Sequence, residues 1–402
     1  MTGKRVLCLS SSMGLGHVTR DVAVVQELRK RVPDVQVVWL TAPPNTVFLQ
    51  EAGEVLHPAS GSMWSQSDVA ERLAQPGFRY DSRRAYEQVQ ALQMRNAEVL
   101  AKVLVEGRPD LVFGDEAMEV LFLLLKYPRL KQWPLVMLTD ALLPAAADVG
   151  TIRQYVESLQ TFKRAGVFDP YAMLYVGTEE DVPDRSMGEG LPGFRTFFHE
   201  HFRAVGYILP FDGAALRREG KARLKSRLGY SPDGKLIVAS IGGTGIGREL
   251  LERVDHAASE LTAVTEGKLE IVLVSGPRPS PESLHVTSKN VAVRGYVPRL
   301  YEHFAAADFA VVEGGLTSAV ELAAVGTPFV YVPLSGHVEQ ELEVAPRLER
   351  LEIGRRMSFE ELTPQNLATA YQDALKSPHT ARGVNLPVNG VDVTAEELLK
   401  FL

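Results

Sequence analysis

Four glycine-containing segments carry groups able to do chemistry, and each follows a short apolar run. The first is Met13-Gly14-Leu15-Gly16-His17. Its glycines permit tight turning and close backbone approach, and they set His17 at the start of a helical pattern. The positive helix end disfavours imidazolium there, so His17 is expected to be a neutral general base near pH 7. Helix capping by the same ring is the alternative. The second segment is Asp115-Glu116, after Pro109-Asp110-Leu111-Val112-Phe113-Gly114. Asp115 can hydrogen-bond the histidine, fix its tautomer and stabilise its protonated form, as in a base-plus-orienter pair. It can equally cap the helix that follows.

The third segment, Gly242-Gly243-Thr244-Gly245-Ile246-Gly247, is neither a Walker loop nor a dinucleotide fingerprint. It still offers backbone N–H groups to an anion at a helix N-terminus. A turn alone does not need so many glycines. The fourth is the longest: Tyr296-Val297-Pro298-Arg299, then Glu313-Gly314-Gly315-Leu316-Thr317-Ser318-Ala319-Val320-Glu321, then Gly326-Thr327-Pro328 and Pro333–Gln340. Gly314 and Gly315 with Thr317 and Ser318 make a second anion-ready helix start. Glu321 lies about one and a half turns further on, where its acceptor oxygens can bridge two neighbouring hydroxyls of a ribose.

These segments must be held by a scaffold. Apolar runs Val6–Leu9, Val35–Leu40, Leu111–Phe113 and Leu135–Leu138 alternate with helical patterns at Asp21–Arg31, Thr46–Glu51 and Arg83–Glu106. The pattern restarts after residue 206 with strands at Leu236–Ile241, Ile271–Val274, Val291–Val293, Phe309–Val312 and Phe329–Val332, and a helix over Arg248–Leu261. Strands separated by helices imply crossovers and parallel sheets covered on both faces. The expected fold is therefore α/β, with two doubly wound, Rossmann-like domains facing a cleft. Open sheets of this kind bind ligands at the carboxyl ends of their strands. The expected domains are 1–206, a linker over 207–234, a second domain over 235–385, and a C-terminal helix in 386–402 that packs back on the first. The basic stretch Leu216–Leu228 reads as a solvated linker helix.

Composition narrows the function classes. The chain has 402 residues, 43 Lys and Arg against 50 Asp and Glu, and a net charge of −7, which argues against a general nucleic-acid binder. No apolar run is long enough for a transmembrane helix. The single cysteine, Cys8, lies in the first strand and reads as a buried thiol, and the short run Val6–Leu9 falls short of a signal peptide. A cytoplasmic protein is expected. His199-Glu200-His201 places its histidines two apart, off a common helix face, so no metal site is expected.

The spacing from Gly315 to Glu321 with the following Gly-x-Pro resembles the donor-binding signature of GT-B nucleotide-sugar glycosyltransferases. These include the UDP-glycosyltransferases and the lipid-intermediate N-acetylglucosaminyltransferase of peptidoglycan synthesis. The N-terminal Gly-Leu-Gly-His and the Pro-Asp-Leu-Val-Phe-Gly-Asp segment fall where that family has them, so the resemblance covers nearly the whole chain. It implies GT-B architecture and no cofactor beyond a UDP- or dTDP-sugar donor. It places Tyr296 beside the nucleobase, with Val297 touching the base through its backbone, and Glu321 on the ribose. Gly242, Gly243, Thr244 and Gly245 with Gly315, Leu316, Thr317 and Ser318 face the diphosphate, and Glu339 and Gln340 meet the sugar. Gly16, Arg299 and Gly314 complete the donor-side set, while His17 is the base on an acceptor hydroxyl, paired with Asp115. Two departures stand out. Glu313 occupies a position where the family often has His or Arg, and Pro333–Gln340 is two residues longer than in plant-type members.

The function so implied is inverting, metal-independent transfer of a sugar from a UDP- or dTDP-sugar to a small-molecule or lipid acceptor. The chain has no Asp-x-Asp of the metal-dependent type. The expected partners are these two substrates, with weak peripheral membrane contact left open and a monomer or homodimer as the assembly. Two rivals share the donor site: a nucleotide-sugar 2-epimerase, and a catalytically silent nucleotide-sugar-binding protein. Trp64, Phe78, Tyr80, Tyr86 and Met94 read either as acceptor-pocket lining or as core.

Overall fold

A computed structural model describes residues 3–144, 148–376 and 386–402. It divides into two units, the first built from Met1–Val69, Ser82–Pro210 and Pro387–Leu402, the second from Ala70–Asp81 and Phe211–Leu386.

The first unit is a parallel sheet of β1 (Arg5–Ser10), β2 (Gln36–Leu40), β3 (Leu111–Asp115), β4 (Leu135–Thr139), β5 (Tyr171–Val176) and β6 (Arg203–Gly206). The spatial order is β2-β1-β3-β4-β5-β6. Val6–Leu9 and Leu111–Phe113 are almost wholly buried, as strands covered by helices on both faces must be. Growth of the sheet reverses between β1 and β3, where Ser10 pairs with Asp115. Such a switch point opens a crevice at the carboxyl ends of the two strands. β5 and β6 were not legible in the sequence. β6 is a short edge strand, and the pairing of the two slips between Tyr175 and Val176. The helix after β1 spans Gly16–Arg31, starting five residues before its apolar pattern does. The Gly390–Leu399 helix packs on it, with Arg31 Nη2 donating to Asp392 Oδ1 at 2.7 Å.

The second unit holds β7 (Lys235–Ser240), β8 (Leu269–Val274), β9 (Val291–Arg294), β10 (Phe309–Glu313), β11 (Phe329–Val332) and β12 (Arg355–Arg356). All pairs are parallel, in the order β9-β8-β7-β10-β11-β12. This is the Rossmann strand order, with its switch point between β7 and β10.

Three expectations are corrected. Residues 70–81, read as part of the first half, form a small hairpin that belongs to the second unit. Tyr80 N donates to Ser335 O at 2.8 Å, and Glu249 accepts from Gly77 N and Phe78 N at 2.8 and 2.9 Å. Phe78 stacks on Phe359 and Tyr80 on His337, so these two rings serve that unit's packing. Second, residues 211–234 are no free-standing linker. Two helices, Gly213–Glu219 and Lys221–Arg227, break at Gly220 (φ 85°) and pack on the Leu300–Ala306 helix. Lys225 is buried and donates to Asp308 Oδ2 and Gly234 O, both at 2.6 Å, while Arg227 pairs with Glu219 and Glu302. Much of the basic stretch is therefore spent on internal contacts. Third, the expected Arg248–Leu261 helix is interrupted, running as Arg248–His256 and Ala258–Ala263. Among the described residues no helix is long and apolar enough to cross a membrane.

Candidate functional site

In the first unit the loop between β1 and its helix is pinned on several sides. Asn45 Nδ2 donates to Ser11 O at 2.8 Å, Gln66 N to Ser12 Oγ at 2.9 Å, and Gly14 N to Ser67 Oγ at 3.2 Å. Gly14 itself has φ 73°, the left-handed region that glycine enters without strain. The loop delivers Gly16 and His17 as the first two residues of the helix, beside the end of β3. His17 Nδ1 lies 3.2 Å from Asp115 Oδ1, so the expected pair is brought together.

Arg20, one turn further along the helix, was not singled out in the sequence. Its Nε and Nη2 donate to the two oxygens of Asp115 at 2.5 and 2.6 Å, and its Nη1 donates to Asp140. Asp115, wholly buried, is held below the carboxylate range by Arg20 and His17 despite its burial. Arg20 Nη2 also approaches His17 Nδ1 at 2.9 Å. Because that nitrogen already donates to Asp115 Oδ1, Nδ1 is best placed as a second donor to the same oxygen, and the two donors oppose each other. Burial and Arg20 both pull His17 toward its neutral form, but Asp115, helped by Glu116, outweighs them and raises it to about 10. The expectation of a histidine kept neutral by the helix end is thus corrected: the neighbouring carboxylates outweigh the dipole. Helix capping is not its role, since the N-cap position is Leu15 and carries no side-chain cap.

In the second unit the loops expected at the donor converge on the switch point. Gly242–Gly247 follows β7, Glu313-Gly314-Gly315 follows β10, and Val312 pairs with Ser240 on the adjoining strands. Gly242 has φ 71°, and a Cβ on neighbouring Gly276 would lie 2.1 Å from the Gly242 carbonyl oxygen. Gly276, after β8, is a part of this arrangement the sequence reading missed. Thr244 is buried, and Gly245 N donates to Glu71 Oε1 at 2.9 Å. Gly314 sits against Pro333, where a Cβ would approach the proline Cα to 2.7 Å. Gly315 caps the Leu316–Val325 helix with backbone alone; Leu316 is buried, and Thr317 and Ser318 are half-buried in its first turn. Glu321 is buried in that helix, and burial pushes its carboxyl up to about 8.

The other expected donor-side residues lie on loops and helix starts of the same unit. Tyr296 and Val297 are half-buried in the loop after β9. Arg299 has φ 55° and pairs with Glu302 on the helix it opens, so its guanidinium is committed locally. Gln340 turns inward: its Nε2 donates to Glu313 Oε1 at 2.7 Å and its Oε1 accepts from Leu334 N at 2.7 Å. That engages one of the two donors and one of the two lone pairs of the amide expected at the sugar. Glu339, next to it, is half-buried. Glu313 does not point away from the glycine loop. Its Oε2 lies 3.0 Å from where a Cβ on Gly247 would be, and burial raises the carboxyl to about 7. Trp64 and Met94 are about half exposed, so of the two readings of these residues the core one does not hold for this pair. His199, Glu200 and His201 end a helix in which the His201 ring packs on Phe197 at 4.8 Å.

Residues 237–385 match the family model described as the glycosyltransferase family 28 C-terminal domain. The chain is similar to the UDP-N-acetylglucosamine--N-acetylmuramyl-(pentapeptide) pyrophosphoryl-undecaprenol N-acetylglucosamine transferase of Mycobacterium sp. (strain KMS). The two are 34% identical over 143 residues, 35% of this chain and 37% of that protein. The like-named transferase of Mycolicibacterium vanbaalenii is 30% identical over 234 residues, 56% of this chain and 55% of its own. The chain thus spans about a third to a half of the length of these curated relatives. Among solved structures, the glycotransferase of kitacinnamycin superposes with a TM-score of 0.65 over 100% of both chains at 18% identity. With two Rossmann-type parallel sheets and this whole-length superposition, the chain has the GT-B fold, and its second unit carries the match to the glycosyltransferase family 28 C-terminal domain.

Proposed function

We propose that this protein is an inverting glycosyltransferase that moves a sugar from a UDP- or dTDP-sugar to an acceptor hydroxyl. The observation that carries this reading is the place of the glycine loops. Both loops named from the sequence, after β7 and after β10, lie at the one point of the second sheet where strand order reverses. Glu321 lies in the helix opened by the second of them. Backbone N–H groups there suit a diphosphate, and a carboxylate suits a ribose diol. The family 28 domain and the transferase relatives favour transfer over epimerisation, for which the shared fold gives no separate support.

In this reading His17 acts once its Nε2 proton has been shed: the ring, keeping a proton on Nδ1, takes the acceptor proton at Nε2 while the acceptor oxygen attacks the anomeric carbon. The nucleoside diphosphate leaves from the opposite face, which inverts the configuration. Asp115 holds the ring by Nδ1, Arg20 holds Asp115, and Asp140 holds Arg20. Charge growing on the leaving phosphate meets N–H groups already oriented by the loops, an electrostatic contribution that needs no reorganisation. The donor's base lies by Tyr296 and Val297.

Calorimetric titration of the full chain with UDP, dTDP, ADP and GDP tests the donor half. Binding of UDP or dTDP in preference to the purine nucleotides is expected. Failure to bind any nucleoside diphosphate would refute the reading.

A further inference from the structure

The carboxylate that faces the working edge of His17 is not Asp115 but Glu116. His17 Nε2 lies 3.8 Å from Glu116 Oε2. The other Glu116 oxygen is anchored: Oε1 accepts from Thr139 Oγ1 at 2.9 Å and from Asp140 N at 3.4 Å. The backbone of Glu116 is left-handed, with φ 48°, an uncommon conformation for a residue with a side chain. The turn after β3 therefore holds a costly shape that sends Asp115 to one side of the imidazole and Glu116 to the other. Exposure separates them too. The Asp115 side chain is fully covered and that of His17 is 10% exposed, whereas that of Glu116 is 25% exposed.

Four charged groups act most strongly on Glu116 among the described residues. His17 and Arg20 face it from the Gly16–Arg31 helix, Asp115 from the end of β3, and Asp140 from the loop after β4. Burial, with Asp140 and Asp115, raises Glu116 to about 7 against the pull of His17 and Arg20.

We propose that Glu116 is a positioning residue acting through His17, the group that stabilises the imidazolium formed when the ring takes the acceptor proton. The inference rests on the reading of His17 as the base. In the transfer step the acceptor O–H bond breaks and an N–H bond forms at Nε2, while the new glycosidic C–O bond forms and the C–O bond to phosphate breaks. In the following step that N–H bond breaks and its proton passes to water. Each turnover thus returns the lone pair to Nε2.

The test is a histidine-detected NMR titration of the full-length chain and of Glu116→Gln, with the His17 signal assigned by its loss in His17→Ala. This readout needs no substrate. Glu116→Gln should lower the His17 midpoint by about one pH unit or more, as removal of a carboxylate 4–6 Å or less from a cation does. Once an acceptor is in hand, the acid limb of kcat/KM should move the same way and kcat should fall at least about tenfold, with KM little changed. Thr139→Val, which keeps the carboxylate and removes its anchor, should shift the midpoint in the same direction by less. An unchanged His17 midpoint in a folded Glu116→Gln chain would overturn the proposal. A shifted midpoint in a chain whose His17→Ala variant still transfers sugar at the full rate would instead overturn His17 as the base and leave the coupling standing.

Discussion

The Gly245 N–H donates to the Glu71 carboxylate at 2.9 Å, so one donor of the glycine loop is already bonded to an anionic group of the same unit. Glu71 also pairs with Arg278 at 3.4 Å. A carboxylate at this loop is what its backbone N–H groups are suited to hold, and a phosphate would compete with it for the same hydrogen. Glu71→Gln should therefore bind UDP or dTDP more tightly, by about threefold to tenfold, the worth of roughly one charge-assisted hydrogen bond less its neutral replacement. Calorimetry at fixed salt reads this directly. Weaker binding in the variant would mean that Glu71 shapes the loop rather than occupying it.

Glu313 gives nucleotide binding a pH dependence of known sign. Its carboxyl is raised to about 7, so it is largely neutral at pH 6 and charged at pH 8, where it repels a diphosphate beside the glycine loop. Glu313→Gln keeps an acceptor for Gln340 and removes the charge. The variant should match the parent in affinity at pH 6 and exceed it several-fold at pH 8. Equal affinities at both pH values would place the phosphates away from Glu313.

Glu321 gives a stability dependence. Its folded pKa of about 8 lies above the ordinary 4.5, so between those values the folded chain binds more protons than the unfolded one. Stability then falls as pH rises through this window, at up to about 1.4 kcal/mol per pH unit. Glu321→Gln should remove that loss, so its melting temperature should exceed the parent's increasingly from pH 5 to pH 8.5. Parallel melting curves for the two chains would show that Glu321 reaches water. Glu321→Ala should weaken nucleotide binding at every pH.

Gly276 tests the packing behind the glycine loop. Alanine there meets two penalties: a φ of 73°, and a Cβ at 2.1 Å from the Gly242 carbonyl oxygen. Gly276→Ala should cost more than about 2 kcal/mol, lowering the melting temperature by several degrees, and should weaken nucleotide binding through Gly242. Gly267→Ala is the control. Its φ is 87° but nothing lies within 4 Å of the added Cβ, so it should cost about 1 kcal/mol and leave binding alone. Equal effects of the two would mean that backbone strain, not the close approach, fixes the loop.

Much of this was readable in the sequence, for physical reasons. Strands covered on both faces must be continuous apolar runs, so Phe329–Val332 and its counterparts announce themselves, and the loops that follow carry the chemistry. His17 and Asp115 could be paired in advance because both lie at strand ends of the same half. Arg20 could not, because a basic residue on a helix reads as a solvated face until a buried carboxylate is known to face it. The state of His17 was misjudged for the same reason: a helix end is visible in sequence, while two carboxylates converging from β3 are not. Phe78 and Tyr80 read as buried, but hydrophobicity does not say against what, and the hairpin's attachment through Glu249 and Ser335 is a long-range fact. Gln340 keeps its place in the motif, while its bond to Glu313 depends on side-chain direction alone and is invisible in the sequence.

The most direct test is transfer itself, run with a panel of UDP- and dTDP-sugars and acceptor hydroxyl compounds and analysed by mass spectrometry. The parent chain should release one nucleoside diphosphate for each glycosylated product, with inverted anomeric configuration. His17→Ala should lose transfer by about 10²–10⁴-fold while binding the nucleotide as before. A variant that transfers sugar at the parent's rate, or a parent that returns only the C2 epimer of its nucleotide sugar, would contradict the account.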